Sequence, residues 1–135
     1  MLDKKRPKVG VGSIILKDGK VLIGRRVYGD HANTWCFPGG GLEYGETFED
    51  AAIRETFEEA GIKIKNIRFA AVMNDTCWDF DHQYVTVFMP CDYDSGEPVD
   101  EKGKMEDWKW VEWNEIPEPR LISVDSLLKS GFTPM

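Results

Sequence analysis

A chain of 135 residues, 41% apolar and 30% charged, is long enough to bury one core and too short for two, so a disordered protein is set aside and a single domain over 1–135 is predicted. The net charge of −7 argues against an anionic membrane or a nucleic-acid polymer as the main partner, because both would be repelled. An anionic small molecule stays available as a ligand if a cation is recruited with it.

From the amino terminus, MLDKKRPKVG is basic with no apolar run behind it, unlike a secretory leader. VGVGSIIL, KDG and VLIGRR predict two strands joined by an Asp18-Gly19 turn, the strongest short hairpin signal. VYGDHANTW is a polar loop. CFPGGG reads as a turn, since Pro38 fixes one dihedral and the glycines permit the rest. A helix is predicted from Thr47, where Asp50 makes a weak capping box, to Gly61, where helices end. IKIKNIRFAAVMND alternates toward a strand. QYVTVFMPCDY is another, with Val85, Val87 and Met89 opposed to Thr86 and Phe88. DYDSGEPVDEKGKMED is an acidic loop, and not an EF-hand, because its glycine is one position early and Gly103 stands where the bidentate glutamate belongs. WKWVEW is a last strand, NEIPEP a turn, and RLISVDSLLKS a closing amphipathic helix. Strands on both sides of a central helix, with a terminal helix, imply a mixed sheet with helices packed on it, an α+β or α/β/α arrangement. Three widely spaced cysteines, Cys36, Cys77 and Cys91, and no apolar stretch of membrane-spanning length point to free thiols and a cytoplasmic location.

The segment GGGLEYGETFEDAAIRETFEEAGI sets Glu43, Glu46, Glu49, Asp50, Glu55, Glu58 and Glu59 against a single base, Arg54. On a helix turning about 100° per residue, Glu55, Glu58 and Glu59 share one sector. Ile53, Phe57 and Ala60 fall nearly opposite, so the ordinary reading is an amphipathic helix with a solvated acidic side. Against it, Phe48, Ala51 and Ala52 fall in the glutamates' sector one or two turns earlier, which covers that face. Like charges so spaced also repel by a few tenths of a kcal/mol per pair even in water. A divalent cation removes that repulsion, and Mg²⁺ takes a few carboxylates together with substrate phosphate oxygens. On geometry alone both readings stay open.

Gly40, Glu46, Arg54, Glu55, Glu58, Glu59, Gly61 and Ile62 stand at the spacing of the Nudix hydrolase signature, and over 40–62 the chain resembles that family. Thr56 departs, at a packing position where an aliphatic residue is usual. VGVGSII, VLIGRR, WCFPGGGLEYGE, HQYVTVFM and WKWVEWNEIP extend the resemblance over nearly the whole chain, to the MutT-type nucleoside triphosphate diphosphatases and most nearly to the subgroup of the human nudix type 15 enzyme. The resemblance implies an α/β fold, the Nudix α/β/α sandwich with a mixed β-sheet. It implies that Glu55, Glu58 and Glu59 bind Mg²⁺ or Mn²⁺, that Glu55 or a neighbour orients or deprotonates the attacking water, and that the Gly39 carbonyl is a further ligand. Gly40, Glu46, Arg54 and Gly61 are then structural, with Glu46 and Arg54 bridging loop to helix. One more glutamate from a later loop is implied, for which Glu101 is preferred over Glu106.

The activity implied is metal-dependent hydrolysis of a nucleoside triphosphate to the monophosphate and pyrophosphate. ADP-ribose, nucleotide sugars and dinucleoside polyphosphates are alternative substrates. A nucleotide-sensing Nudix module without hydrolysis is the alternative of another class, and the complete set of signature glutamates speaks against it. Arg26, with Arg25 beside it, ends the second strand near the glycine loop and is the expected phosphate contact. Phe37, or the segment around Leu121, Leu127 and Leu128, would flank a base, and Trp35 or Trp78 would stack on one, against the ordinary reading of such positions as core. Trp108, Trp110 and Trp113 are spaced to pack along a strand, and His31 and His82 are not needed by this chemistry. A homodimer is implied by the resemblance alone.

Overall fold

The structure, a computed structural model, describes residues 6–77 and 82–134. Asp18 and Gly19 both take the left-handed backbone, with φ of 51° and 77°. They close strand β1 (Lys8–Lys17) onto β2 (Lys20–Arg26) as a two-residue hairpin, the turn whose twist matches that of its strands. The CFPGGG stretch, expected as a turn, bends only at Phe37 and Pro38; Cys36 and the glycines on either side belong to two short strands. β3 (Thr34–Cys36) adds to β2, and β4 (Gly39–Gly41) pairs antiparallel with β1, Gly39 opposite Gly12 and Gly41 opposite Gly10. The glycines permit this pairing because a Cβ at Gly39 would run into the Val11 carbonyl.

The strand expected after the central helix is also two. β5 (Lys63–Lys65) and β6 (Ala71–Cys77) both run antiparallel to β7 (His82–Ser95). Asn66, at φ 51°, turns the chain out between them, and its Nδ2 donates to Asp92 at 2.9 Å. β7 runs parallel to β1 from Lys8 opposite Tyr84 to Leu16 opposite Asp92. β8 (Met105–Val111) runs antiparallel to β2. The described sheet is therefore mixed, in the order β3-β2-β1-β7-β5, with β4, β6 and β8 joined to β1, β7 and β2. Both ends of the expected acidic loop belong to strands.

Period-two alternation divides the core into two layers. Val11, Ile15, Leu22, Val87, Met89 and Cys91 are buried beneath helix α1 (Phe48–Ala60) with Ala51, Ala52 and Ala60. Ile14, Val21, Ile23 and Phe88 face the other way, against Val124 and Leu127 of helix α2 (Ile122–Lys129). One helix on each face of a mixed sheet is the sandwich expected.

α1 is capped as its sequence predicts. Thr47 Oγ1 accepts from the Asp50 N–H, and Gly61, at φ 71°, ends the helix with its N–H on the Phe57 carbonyl. Its buried face differs from the ordinary amphipathic reading. Ala51, Ala52 and Thr56 are fully buried, whereas Ile53 and Phe57 are 46% and 54% exposed. Small side chains let the helix lie close to the sheet, and that contact carries Glu55 and Glu59 inward.

Candidate active site

The glutamate side of α1 lies against the glycine strand. The Gly39 N–H donates to Glu59 Oε1 at 2.8 Å. Glu55 approaches Gly40 so closely that any Cβ there would run into its carboxylate, so Gly40 is a requirement of contact and not of turn geometry. Arg54 joins the pieces. Its Nε donates to Glu46 Oε2 at 2.7 Å and its Nη2 to Glu46 Oε1 at 2.9 Å, the two-pronged pairing a planar guanidinium favours. Nη1 donates to Glu55 Oε1 at 2.7 Å, and Nη2 reaches the Gly41 carbonyl at 3.0 Å. One side chain thus ties loop, glycine strand and helix together.

The acids do not share one environment. Hydrogen bonds from Arg54 and from the Glu43 N–H hold the Glu46 carboxyl down to about 2. Burial pushes Glu59 up to about 8, opposed by the Gly39 N–H and reinforced by the charges of Glu55 and Glu101. Burial also raises Glu55, with Arg54 opposing it and Glu58 and Glu46 adding to the shift. Glu58 is 55% exposed, 3.4 Å from Arg54 Nη1. Among the described residues no three His, Cys, Asp or Glu side chains stand together as a ready metal cage. Glu55 is turned to Arg54 and Glu59 to Gly39 instead. The donors still fit a hard cation, since all are carboxylate oxygens and two of the groups are held toward the protonated form by burial and mutual repulsion. Of the two later acids, Glu101 is the one whose charge acts on Glu59. Glu106 accepts from the Gly103 N–H at 3.1 Å within its own loop.

A cavity of about 330 Å³ opens beside the glycine strand. Gly39, Gly40 and Glu59 line it together with an apolar wall of Phe37, Phe88, Met105 and Val124. Arg26 lines it too; its guanidinium lies 4.3 Å from the Tyr28 ring centroid, and its buried Nε has no hydrogen-bond partner among the described residues. Arg25, expected beside it, does not line this cavity. It bonds Asp107 through Nε at 2.8 Å and Asn33 through Nη1 at 2.9 Å. Alternation along β2 sets Arg26 on the face of Leu22, toward α1, and Arg25 on the face of Ile23. The register of β2 on β8 shifts between Ile23 and Arg25, with the extra residue on β8; Asp107 there takes φ 61° and its carboxylate accepts from Arg25.

Phe37 reaches the cavity with one face already stacked on Trp113, centroids 5.8 Å apart and planes 6° off parallel, and with Phe88 edge-on at 6.0 Å. Leu121 lines the cavity, while Leu127 is core and Leu128 packs on it. Trp35 packs on the core as well and carries Lys109 Nζ 4.5 Å from its ring centroid. Trp78 and the side chains of Cys77 and His82 lie outside the described residues. Sequence reading missed Tyr84 and Thr86, which line the cavity from β7; their alternation with Val85 and Val87 was the available signal. Cys36 also lines it, but burial pushes its thiol up to about 12, so it offers no thiolate.

A NUDIX domain family model matches residues 4–128. The NAD-capped RNA hydrolase NudC of Salmonella heidelberg (strain SL476) is 35% identical over 104 residues, which cover 76% of this chain and 38% of that protein. The crystal structure of a MutT NUDIX hydrolase from Burkholderia pseudomallei is similar with a TM-score of 0.86 and 28% identity, over 93% of this chain and 98% of that one. The NUDIX domain of Shewanella oneidensis NrtR, complexed with ADP ribose, shares the fold at a TM-score of 0.77 and 18% identity, over 96% and 89% of the two chains. The chain belongs to the Nudix family. It spans about two fifths of the length of the NudC relative. No helix among the described residues is long and apolar enough to cross a membrane.

Proposed function

We propose that the chain is a metal-dependent Nudix pyrophosphohydrolase that cleaves a diphosphate bond in a nucleotide-linked small molecule. A nucleoside triphosphate, giving monophosphate and pyrophosphate, is the first substrate to test. The observation that supports this best is the placing of Glu55 and Glu59 against the glycine strand, at a cavity that also holds Arg26 and an apolar wall. Glu55, Glu58 and Glu59 would hold Mg²⁺ or Mn²⁺, with the Gly39 carbonyl and Glu101 as further ligands. The bound cation supplies charge neutralisation at the phosphoryl oxygens and a water of lowered pKa. Arg26 donates to phosphate oxygens. Glu55, its pKa raised, orients or deprotonates the attacking water. Arg54 and Glu46 hold that glutamate and the loop in register, and the apolar wall of Phe37, Phe88 and Val124 excludes water from the cavity.

A second reading is favoured by the NudC relative. That relative is an NAD-capped RNA hydrolase, so the diphosphate of NAD is an alternative target. The net charge of −7 repels an RNA body, which makes the free dinucleotide the form to test.

The deciding assay offers nucleoside triphosphates, modified guanine nucleotides, ADP-ribose, NAD and dinucleoside polyphosphates, each with Mg²⁺ or Mn²⁺, and identifies the products. Pyrophosphate from a triphosphate supports the first reading, and two mononucleotides from NAD support the second. No turnover of any of them overturns the hydrolase and leaves a nucleotide-sensing module. Glu58→Gln is expected to abolish turnover with the fold intact; full activity in that variant removes the metal assignment. Light scattering on the same sample tests the homodimer.

A further inference from the structure

β6 presents Ala71 and Met73 to the apolar layer under α2 and leaves Val72 exposed on its other face. Continuing by twos, Asp75 puts a carboxylate at the end of that apolar row. Its Oδ1 accepts from the Ser126 hydroxyl of α2 at 2.6 Å. Its Oδ2 is buried and has no hydrogen-bond partner among the described residues. Asp75 lines a cavity of about 120 Å³ whose other walls include Arg26, Tyr84, Thr86, Leu121 and Ser123. Those five also line the larger cavity beside the glycine strand, so the two cavities adjoin and share Arg26 between them. A buried acceptor left unpaired is unfavourable, and such a group facing a chamber is best explained by a ligand donor.

Resting on the function proposed above, we propose that this chamber is the base subsite and that Asp75 selects a nucleobase presenting two adjacent N–H donors on one edge. Among the common bases that is guanine, through N1–H and the 2-amino group. A carboxylate only accepts; with one lone pair of Oδ1 engaged by Ser126, its open lone pairs match a donor pair. Adenine and cytosine set an acceptor ring nitrogen beside the amino donor, and uracil flanks its N–H with two carbonyls. Each of these turns an acceptor toward the carboxylate, and a site built for an N–H rejects an analogue lacking it. The phosphates then lie on the Arg26 and glycine-strand side, where the proposed chemistry is.

The test is calorimetric binding of GMP, IMP, AMP and UMP, with Mg²⁺ present, to the full chain and to Asp75→Asn and Ser126→Ala. GMP is expected to bind about 10- to 100-fold more tightly than IMP, which lacks only the 2-amino group. Asp75→Asn keeps an acceptor for Ser126 and is expected to erase that difference while leaving AMP binding and the thermal midpoint near wild type. Ser126→Ala is expected to keep the preference. Equal binding of GMP and IMP by the wild type, no binding of any of the four, or equal weakening of all four by Asp75→Asn overturns the subsite. Guanine preference with no turnover in the hydrolysis panel sustains the subsite and defeats the hydrolase; turnover with equal GMP and IMP binding does the reverse.

Discussion

Arg54 grips Glu46 with two parallel hydrogen bonds, 2.7 and 2.9 Å, while a third, to Glu55 at 2.7 Å, carries the same guanidinium onto the helix face that meets the glycine strand. Lys has one point charge where Arg has a fork, so it can satisfy one of these acids and not both. Arg54→Lys is therefore expected to lower turnover by about 10- to 100-fold, the usual loss when a residue that orients metal-binding groups is changed. It should also weaken the Mg²⁺ dependence of the thermal midpoint. Wild-type kcat/KM and an unchanged Mg²⁺ titration in that variant would remove the clamp from the account.

Glu59 makes the metal-free protein sensitive to pH in a definite direction. Its carboxyl is raised from 4.5 to about 8, so the folded state keeps a proton that the unfolded chain has released. That contribution to stability is complete below about 4.5 and is lost as pH rises toward 8. Thermal midpoints of the metal-free protein should fall across this window, and Glu59→Gln should flatten the fall. Saturating Mg²⁺ should raise the midpoint more at the alkaline end. Superimposable pH profiles for wild type and Glu59→Gln would count against this.

Two neighbouring glycines should answer differently to one methyl group. At Gly40 a Cβ would collide with the Glu55 carboxylate, whereas at Gly41 it would meet nothing within 4 Å. Gly40→Ala is expected to displace Glu55 and reduce turnover by at least tenfold, in line with the loss of an oriented catalytic carboxylate. Gly41→Ala should change stability by no more than about 0.5 kcal/mol, as ordinary surface substitutions do. Comparing kcat and unfolding midpoints of the two variants decides the matter; equal effects would contradict the geometry.

Thr56, which stands where the signature carries an aliphatic residue, donates its hydroxyl to Ser13 Oγ at 2.8 Å, and both side chains are buried. Thr56→Val strands the Ser13 hydroxyl and is expected to cost about 1–3 kcal/mol. Ser13→Ala combined with Thr56→Val removes both polar groups and should recover most of that loss. Urea unfolding of the two single variants and the double variant gives the coupling. A double variant as unstable as the sum of the singles would mean the pair is not coupled.

Short-range signals carried much of the fold. The hairpin follows from Asp18-Gly19, whose left-handed pair is a property of the dipeptide. The limits of α1 follow from Thr47 and Gly61, whose hydrogen bonds lie within four residues of themselves. Alternation in β7 correctly set Val87 and Met89 against Phe88. Where a segment's structure rests on a distant partner, the reading fell short. The glycine stretch becomes a strand only because β1 offers an edge, and the strand after α1 divides because two parts of the β7 edge accept it separately.

The amino-acid sequence by itself determined which residues of α1 carry carboxylates, which arginine accompanies them, and that a mixed sheet with two helices would hold them. Those facts are written in spacing and local propensity. Tertiary structure alone decided which face of α1 turns inward, burying Ala51, Ala52 and Thr56 and exposing Ile53 and Phe57. It alone decided that Arg26 lines the cavity while Arg25 is held by Asp107. Asp75, one acid among many in the sequence, becomes singular only when α2 closes over it and leaves one of its oxygens buried with no described partner. Burial, register and unmet hydrogen bonds are sums over residues far apart in the chain, so no local pattern can report them.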